Sequence, residues 1–80
     1  MQGIVHTINR RRGMFIVQFD GGFAVFELLD GIDINPGDHI SGDLEALGGE
    51  ELLHLGHREF FSAYGQSGPG SLQACMRLIS

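Results

Sequence analysis

The sequence predicts a mainly β domain: a small barrel of five strands followed by one short C-terminal helix. Three observations support this prediction. The 80 residues include thirteen glycines but only two prolines, a composition typical of short strands joined by tight turns. Several segments alternate apolar and polar side chains with the period of two that strands show, and only the last segment has helical spacing. The length predicts a single domain over residues 1–80.

The first three strands follow one another across tight turns. Residues 3–9 are rich in β-branched side chains and predict the first strand. Residues 14–19 predict the second, and its alternation divides it into two faces: Phe15, Val17 and Phe19 on one, Met14, Ile16 and Gln18 on the other. Asp-Gly-Gly at 20–22 predicts a hairpin turn. The third strand, from residue 23, is apolar on both faces, as expected of a barrel wall that is partly covered outside.

The next two strands complete the predicted barrel, which spans residues 2–56. Asn-Pro-Gly-Asp at 35–38 predicts a type II turn, because proline and glycine stand at its second and third positions. Residues 39–47 predict a strand with Ile40 and Leu44 facing inward. Gly48 and Gly49 predict a second tight hairpin, with the returning strand after them. Two helical fragments interrupted by these glycines are the alternative.

The C-terminal segment has a different pattern. Residues 65–70 form a Gly/Ser-rich loop, predicted to be a plain connector. A helix is predicted over residues 71–79, with Ser71 as its N-cap. Its apolar stripe contains Leu72, Cys75, Met76 and Ile79, and we expect this stripe to pack against the barrel. A closing barrel strand is the alternative.

Positive charge is concentrated at one point of an acidic chain. The formal net charge is −5, there is no lysine, and Arg10, Arg11 and Arg12 are three of only five basic residues. All ten acidic residues lie within residues 20–59. This balance argues against general attachment to nucleic acid, which needs many cations, but it allows a local basic patch. The single cysteine and the absence of a leader-like or membrane-spanning apolar stretch predict a cytoplasmic protein without membrane association.

Roughly residues 2–42 resemble the OB-fold as cold-shock domains build it. The residues that carry this resemblance are Gly3, Val5, Asn9, Arg12-Gly13, Phe26 within AVFEL, and Gly37-Asp38. That family binds single-stranded nucleic acid by stacking bases on aromatic side chains beside a basic rim. The resemblance implies an OB-like barrel whose binding face contains Met14, Ile16, Phe26 and Leu28. Of these four residues only Phe26 is aromatic, so the chain departs from the family's pattern.

The first functional hypothesis is weak binding of single-stranded RNA or DNA through the Arg10–Arg12 turn and the Phe26 face. Guanidinium groups hold phosphates in bidentate fashion, and an exposed aromatic ring stacks on an unpaired base. The alternative for the arginines is an exposed turn that balances the acidic residues 20–59. The alternative for the apolar face is that the C-terminal helix covers it.

The second hypothesis is a protein-interaction module or a homodimer. It uses the barrel face or the aromatic cluster of Phe60, Phe61 and Tyr64, of which at least one phenylalanine is expected in the core. No enzymatic activity, cofactor or metal is predicted. His54 and His57 are three residues apart, and in a strand their side chains would face opposite ways.

Overall fold

The computed structural model describes all residues from 1 to 80 and shows six antiparallel strands in a closed barrel, with one helix packed on its wall. The elements are β1 (Gln2–Asn9), β2 (Met14–Phe19), β3 (Gly22–Leu28), β4 (His39–Ser41), β5 (Gly48–His54), β6 (Glu59–Gly65) and α1 (Leu72–Ile79). The strand order is β1-β2-β3-β6-β5-β4, closed by pairing of β4 with β1. Two three-stranded meanders therefore join edge to edge. The predicted mainly β barrel with a short C-terminal helix is confirmed, with six strands instead of five.

The strand missing from the sequence prediction is β6. Its side chains alternate regularly, with Phe61, Ala63 and Gly65 buried and Phe60, Ser62 and Tyr64 exposed. In the sequence, the aromatic content of this segment obscures its period of two. Because β6 pairs with both β3 and β5, it is the strand that allows the barrel to close.

Of three predicted turns, one is wrong and two are confirmed. The hairpin predicted at Gly48 and Gly49 is wrong, because both residues belong to β5 and the chain reverses over residues 42–47 instead. The β2–β3 hairpin is confirmed, with Phe19 paired to Gly22 across a two-residue turn. The turn at 35–38 is also confirmed: the Asp38 N–H donates to the Asn35 carbonyl at 3.1 Å, and Gly37 has the positive φ (95°) that a type II turn requires.

The main core fills the barrel. Its eleven buried members are Val5, Phe15, Val17, Ala24, Phe26, Ile34, Ile40, Leu44, Leu52, Phe61 and Ala63. The predicted burial of Ile40 and Leu44 is thus confirmed, but the predicted strand over 39–47 is too long, because β4 ends at Ser41 and Leu44 lies in the connection that follows. Three of the aromatic rings lie in contact, with the Phe15 centroid 5.9 Å from that of Phe26 and 6.3 Å from that of Phe61. Inward alternation on each strand brings these rings together.

The helix covers the outer face of β2 and β3. The Ser71 side chain accepts a hydrogen bond from the Ala74 N–H at 3.1 Å, which confirms the predicted N-cap. Cys75 and Ile79 of the helix pack against Ile16 and Val25, which point outward from the barrel wall. These four side chains form a second buried cluster. The predicted helix cover is confirmed, although Met76 of the stripe stays 41% exposed. With eight residues, α1 is too short to cross a lipid bilayer.

Candidate functional site

Two of the three consecutive arginines form hydrogen bonds or ion pairs with other parts of the protein. Arg10 donates to the Asn35 side chain at 2.6 Å and lies 3.6 Å from the Asp33 carboxylate. Both partners belong to the acidic part of the chain, as the charge-balancing alternative expected. Arg11 is exposed and forms no side-chain hydrogen bond or ion pair.

Arg12 holds the C-terminus of α1. Its guanidinium donates to the carbonyls of Leu78 and Ser80, and the Asn9 side chain donates to the carbonyl of Ile79. The last carbonyls of a helix have no partners within the helix, and they carry its negative partial charge. The β1–β2 turn thus supplies a cation and an amide to the helix end. One member of the arginine cluster, Arg12, therefore helps to hold the C-terminal end of α1 in place.

We expect Arg12→Ala to destabilise the protein and Arg11→Ala to leave its stability unchanged. The Arg12→Ala variant loses the bonds to the helix carbonyls, an effect of about 0.3–1 kcal/mol for an exposed cation at a helix end. The neighbouring Arg11 has no partner to lose and is therefore the matched control. Urea unfolding of the two variants checks this, and equal midpoints would contradict the role assigned to Arg12.

The predicted binding face of Met14, Ile16, Phe26 and Leu28 is wrong as a single exposed surface. The two-residue β2–β3 turn sets a register that pairs Phe15 with Phe26, and both rings lie inside the barrel with no exposed surface. Leu28 has the same parity as Phe26 and packs against the barrel core. Met14 and Ile16 point outward instead, where α1 covers Ile16 completely. No residue of this set is available as an aromatic stacking platform.

A buried histidine links the 35–38 turn to the β5–β6 turn. The His54 side chain is almost fully buried, its Nε2 lies 2.8 Å from an Asp38 carboxylate oxygen, and its Nδ1 accepts the His57 N–H at 3.0 Å. In the tautomer that satisfies both bonds, Nε2 donates to Asp38 and Nδ1 accepts from His57. The prediction that His54 and His57 face opposite ways is wrong, because His57 lies in the turn after β5 and the two rings stack at 4.1 Å. Because both of its ring nitrogens form hydrogen bonds, one with Asp38 and one with His57, His54 links the two turns.

The hydrogen bond between His54 and the Asp38 carboxylate predicts a loss of stability in acid. Partial burial would raise the pKa of Asp38, but hydrogen bonds from His54 and the Asn35 N–H outweigh it and hold this pKa below its ordinary value of 3.8. A carboxyl whose pKa is lower in the folded state stabilises the protein above the unfolded pKa, and this contribution disappears as pH falls through the folded pKa. We expect the free energy of unfolding to fall between about pH 5 and pH 2, and to fall less in Asp38→Asn. Urea titrations at several pH values measure this, with Asp20→Asn, in the exposed hairpin turn, as the control. Identical pH profiles for wild type and Asp38→Asn would contradict it.

The outer face of β5 and β6 exposes several apolar side chains. Phe60 is 62% exposed and Tyr64 is 47% exposed, whereas the third predicted interface residue, Phe61, is buried in the core. Leu53 lies directly opposite Phe60 in the register, and Leu29, just after β3, is 53% exposed. This outer face is called here the β5–β6 face; its apolar residues are Leu29, Leu53, Phe60 and Tyr64, and Ser62 lies between Phe60 and Tyr64 on the same side of β6. The sequence prediction did not include Leu29 and Leu53, although the alternation of β6 is a signal that separates Phe60 and Tyr64 from Phe61.

Acidic side chains lie within and beside the β5–β6 face. Glu27 is paired with Tyr64 across the β3–β6 ladder, and Glu51 is paired with Ser62 across the β5–β6 ladder. Beside Phe60, residues 30–33 and the start of β6 enclose an open groove of about 700 Å³. Three carboxylates line this groove, from Asp30, Asp33 and Glu59. The face therefore carries apolar and acidic side chains side by side, with Ser62 and Glu51 in the row between Phe60 and Tyr64.

No protein-family model, curated protein or solved structure matches this chain. The resemblance to cold-shock domains stays a prediction from the residues that carry it. Function is therefore inferred from the geometry of the β5–β6 face and of the arginine turn.

Proposed function

We propose that this protein is an interaction module that binds another protein on its β5–β6 face. The observation that carries the proposal is the exposure of Phe60 and Tyr64 on one outward side of β6. Aromatic side chains are enriched at the centres of protein interfaces and provide much of the binding energy there. The one helix of the chain covers β2 and β3, so this face has no cover from within the protein.

The acidic side chains of the face indicate what kind of partner fits. A second copy in an isologous dimer would present the same acidic surface, so acidic side chains of one copy would lie near acidic side chains of the other. Like charges placed opposite each other weaken an interface, whereas opposite charges favour both encounter and specificity. The partner is therefore a protein whose contact surface combines apolar and basic side chains.

Binding of single-stranded nucleic acid has less support from the same geometry. Arg10 and Arg12 are already engaged, and Phe26 lies inside the barrel. One remaining guanidinium neutralises about one phosphate, which corresponds to a log–log salt slope of only about −0.7. The acidic side chains beside the exposed aromatic residues repel a nucleic-acid strand. This function stays a prediction of the sequence, and it is an outcome of the experiment below.

We expect the double substitution of Phe60→Ser and Tyr64→Ser to abolish partner binding without unfolding the barrel. Truncating aromatic hot-spot residues costs at least about 2 kcal/mol of binding energy, or about thirtyfold in affinity. The measurement is cross-linking in cell extract with tagged wild type, the double variant and Met76→Ser, whose exposed side chain lies on α1. One protein should be captured by wild type and Met76→Ser, should be lost with the double variant, and should be released as salt is raised.

Three results would contradict the proposal. The first is capture that is equal for all three proteins. The second is a self-association, seen by sedimentation of wild type, that disappears in the double variant; this would identify a second copy as the occupant. The third is a titration with oligothymidine that shifts the amides around Arg11 while the β5–β6 face captures nothing, which would favour nucleic acid.

A further inference from the structure

The first part of β6 has a free hydrogen-bonding edge beside the groove. β3 ends at Leu28, and the last main-chain bond between the two strands runs from the Leu29 N–H to the Ser62 carbonyl at 3.0 Å. The Ser62 N–H donates instead to the Asp30 carboxylate at 2.7 Å. Beyond this point the chain of residues 30–33 has left β6.

The main-chain groups of Phe60 point toward the space where β3 would have continued. In an antiparallel strand every second residue directs its N–H and C=O to the same side. Phe60 therefore points these groups the same way as Ser62, away from β5, and no residue of the chain bonds to them. Phe60 and residues 30–33 line the open groove of about 700 Å³. One N–H and one C=O of a strand edge thus face a space large enough for a few residues.

We propose that the partner inserts an extended, basic segment into this groove, as an added strand beside β6. This inference rests on the proposed function and specifies how the partner binds. An extended segment supplies the acceptor and the donor that match Phe60, which is how added strands gain affinity on a sheet edge. Alternate side chains of that segment then point along the Phe60 ring and toward the carboxylates.

The charges of the groove determine the side chains of the segment. Asp30, Asp33 and Glu59 line it, and Arg10 contacts Asp33 from outside. Lysine or arginine side chains of the segment lie close to Asp30 and Glu59, and a cation above the Phe60 ring gains a further attraction. The same strand of a second copy carries Glu59 and would meet these carboxylates with like charge. An extended segment with alternating apolar and basic residues is therefore the occupant that matches both backbone and charge.

The experiment uses the full-length protein and blocked synthetic peptides, with backbone amide shifts as the readout. The probe is a peptide of alternating valine and lysine at millimolar concentration and low salt. We expect saturable shifts at residues 30–33 and 59–61. A peptide with glutamate in place of lysine should produce no shifts, and neither should the same valine-lysine peptide with every backbone nitrogen methylated, because it has lost its donors. Asp33→Asn combined with Glu59→Gln should weaken binding about threefold or more, whereas Glu45→Gln, a carboxylate outside the groove, should leave it unchanged.

Three outcomes would overturn the inference. They are the absence of shifts with the valine-lysine peptide, shifts that survive N-methylation, and shifts located away from the groove. Thermal melting of each variant shows whether a loss of binding comes from unfolding. If the peptide fails while a partner is still captured through Phe60 and Tyr64, the added strand is wrong and the proposed function stands. If the capture fails as well, both are wrong.

Discussion

Replacing Gly65 with alanine is expected to cost about 3 kcal/mol or more, the upper end of what an overpacked site loses. Gly65 ends β6, where the 42–47 connection crosses it. A Cβ at this position would lie 2.1 Å from the carbonyl oxygen of Ala46 and 2.9 Å from its carbon. Both are backbone atoms, which cannot turn away as the end of a flexible side chain can. Each kcal/mol lowers Tm by about 4–8 °C in a domain of this size, so the variant should melt at least about 12 °C below wild type.

Gly49→Ala is the matched control. Gly49 lies in the neighbouring strand β5 and has no positive φ, and a methyl group added to its Cα would meet no other atom within 4 Å. Alanine there should leave Tm unchanged or raise it slightly, since it restricts the unfolded chain. Circular dichroism melts of the two variants make the comparison. A Gly65→Ala protein that melts with wild type would contradict the close crossing at the end of β6.

Ending the chain after Gly70 is expected to unfold the protein. The truncation removes α1, and with it Cys75 and Ile79, and it exposes Ile16 and Val25, which have no exposed surface in the folded state. The burial of Ile16, Val25 and Ile79 alone contributes about 5–9 kcal/mol to the stability of the folded state. An 80-residue domain is stable by only about 4–12 kcal/mol, so the loss is comparable to the whole. The expected result is a collapsed amide spectrum and aggregation.

Two point variants give a graded version of the same test. Ile79→Ala should cost about 2–5 kcal/mol, because a buried aliphatic side chain is removed from the helix–barrel contact. Met76→Ala, on the exposed side of the same helix, should cost little. Urea unfolding measures both, and a truncated chain with a native amide spectrum and wild-type stability would show that α1 is dispensable.

Local sequence pattern by itself determines much of this fold. The period of two in residues 14–19 places Phe15 and Val17 inside the barrel, and the Asp20-Gly21 turn is the kind that joins two neighbouring strands. Ser71 and the helical spacing after it predict α1 and its apolar side. These features depend on residues close in sequence, whose conformational preferences act before any distant contact forms.

Tertiary structure decided the features that join distant residues. The register of β2 with β3 buries Phe26, and the pairing of β6 with two strands closes the barrel. The use of Arg12 depends on a helix end 66 residues away along the chain. No local pattern encodes such a distance, because it is set by how whole elements pack.

The candidate site likewise depends in part on the sequence alone and in part on the tertiary structure. The sequence alone identified Phe60 and Tyr64 as members of an unusual aromatic cluster, and it identified the acidic character of residues 20–59. The folded chain, in which residues 59–65 form a strand, separated these two exposed rings from the buried Phe61 and placed Leu53 beside Phe60. Only the folded chain also showed that residues 30–33 leave β6 and open a groove there. The physical reason is that exposure and free strand edges belong to the closed barrel, in which each strand's surroundings come from strands elsewhere in the sequence.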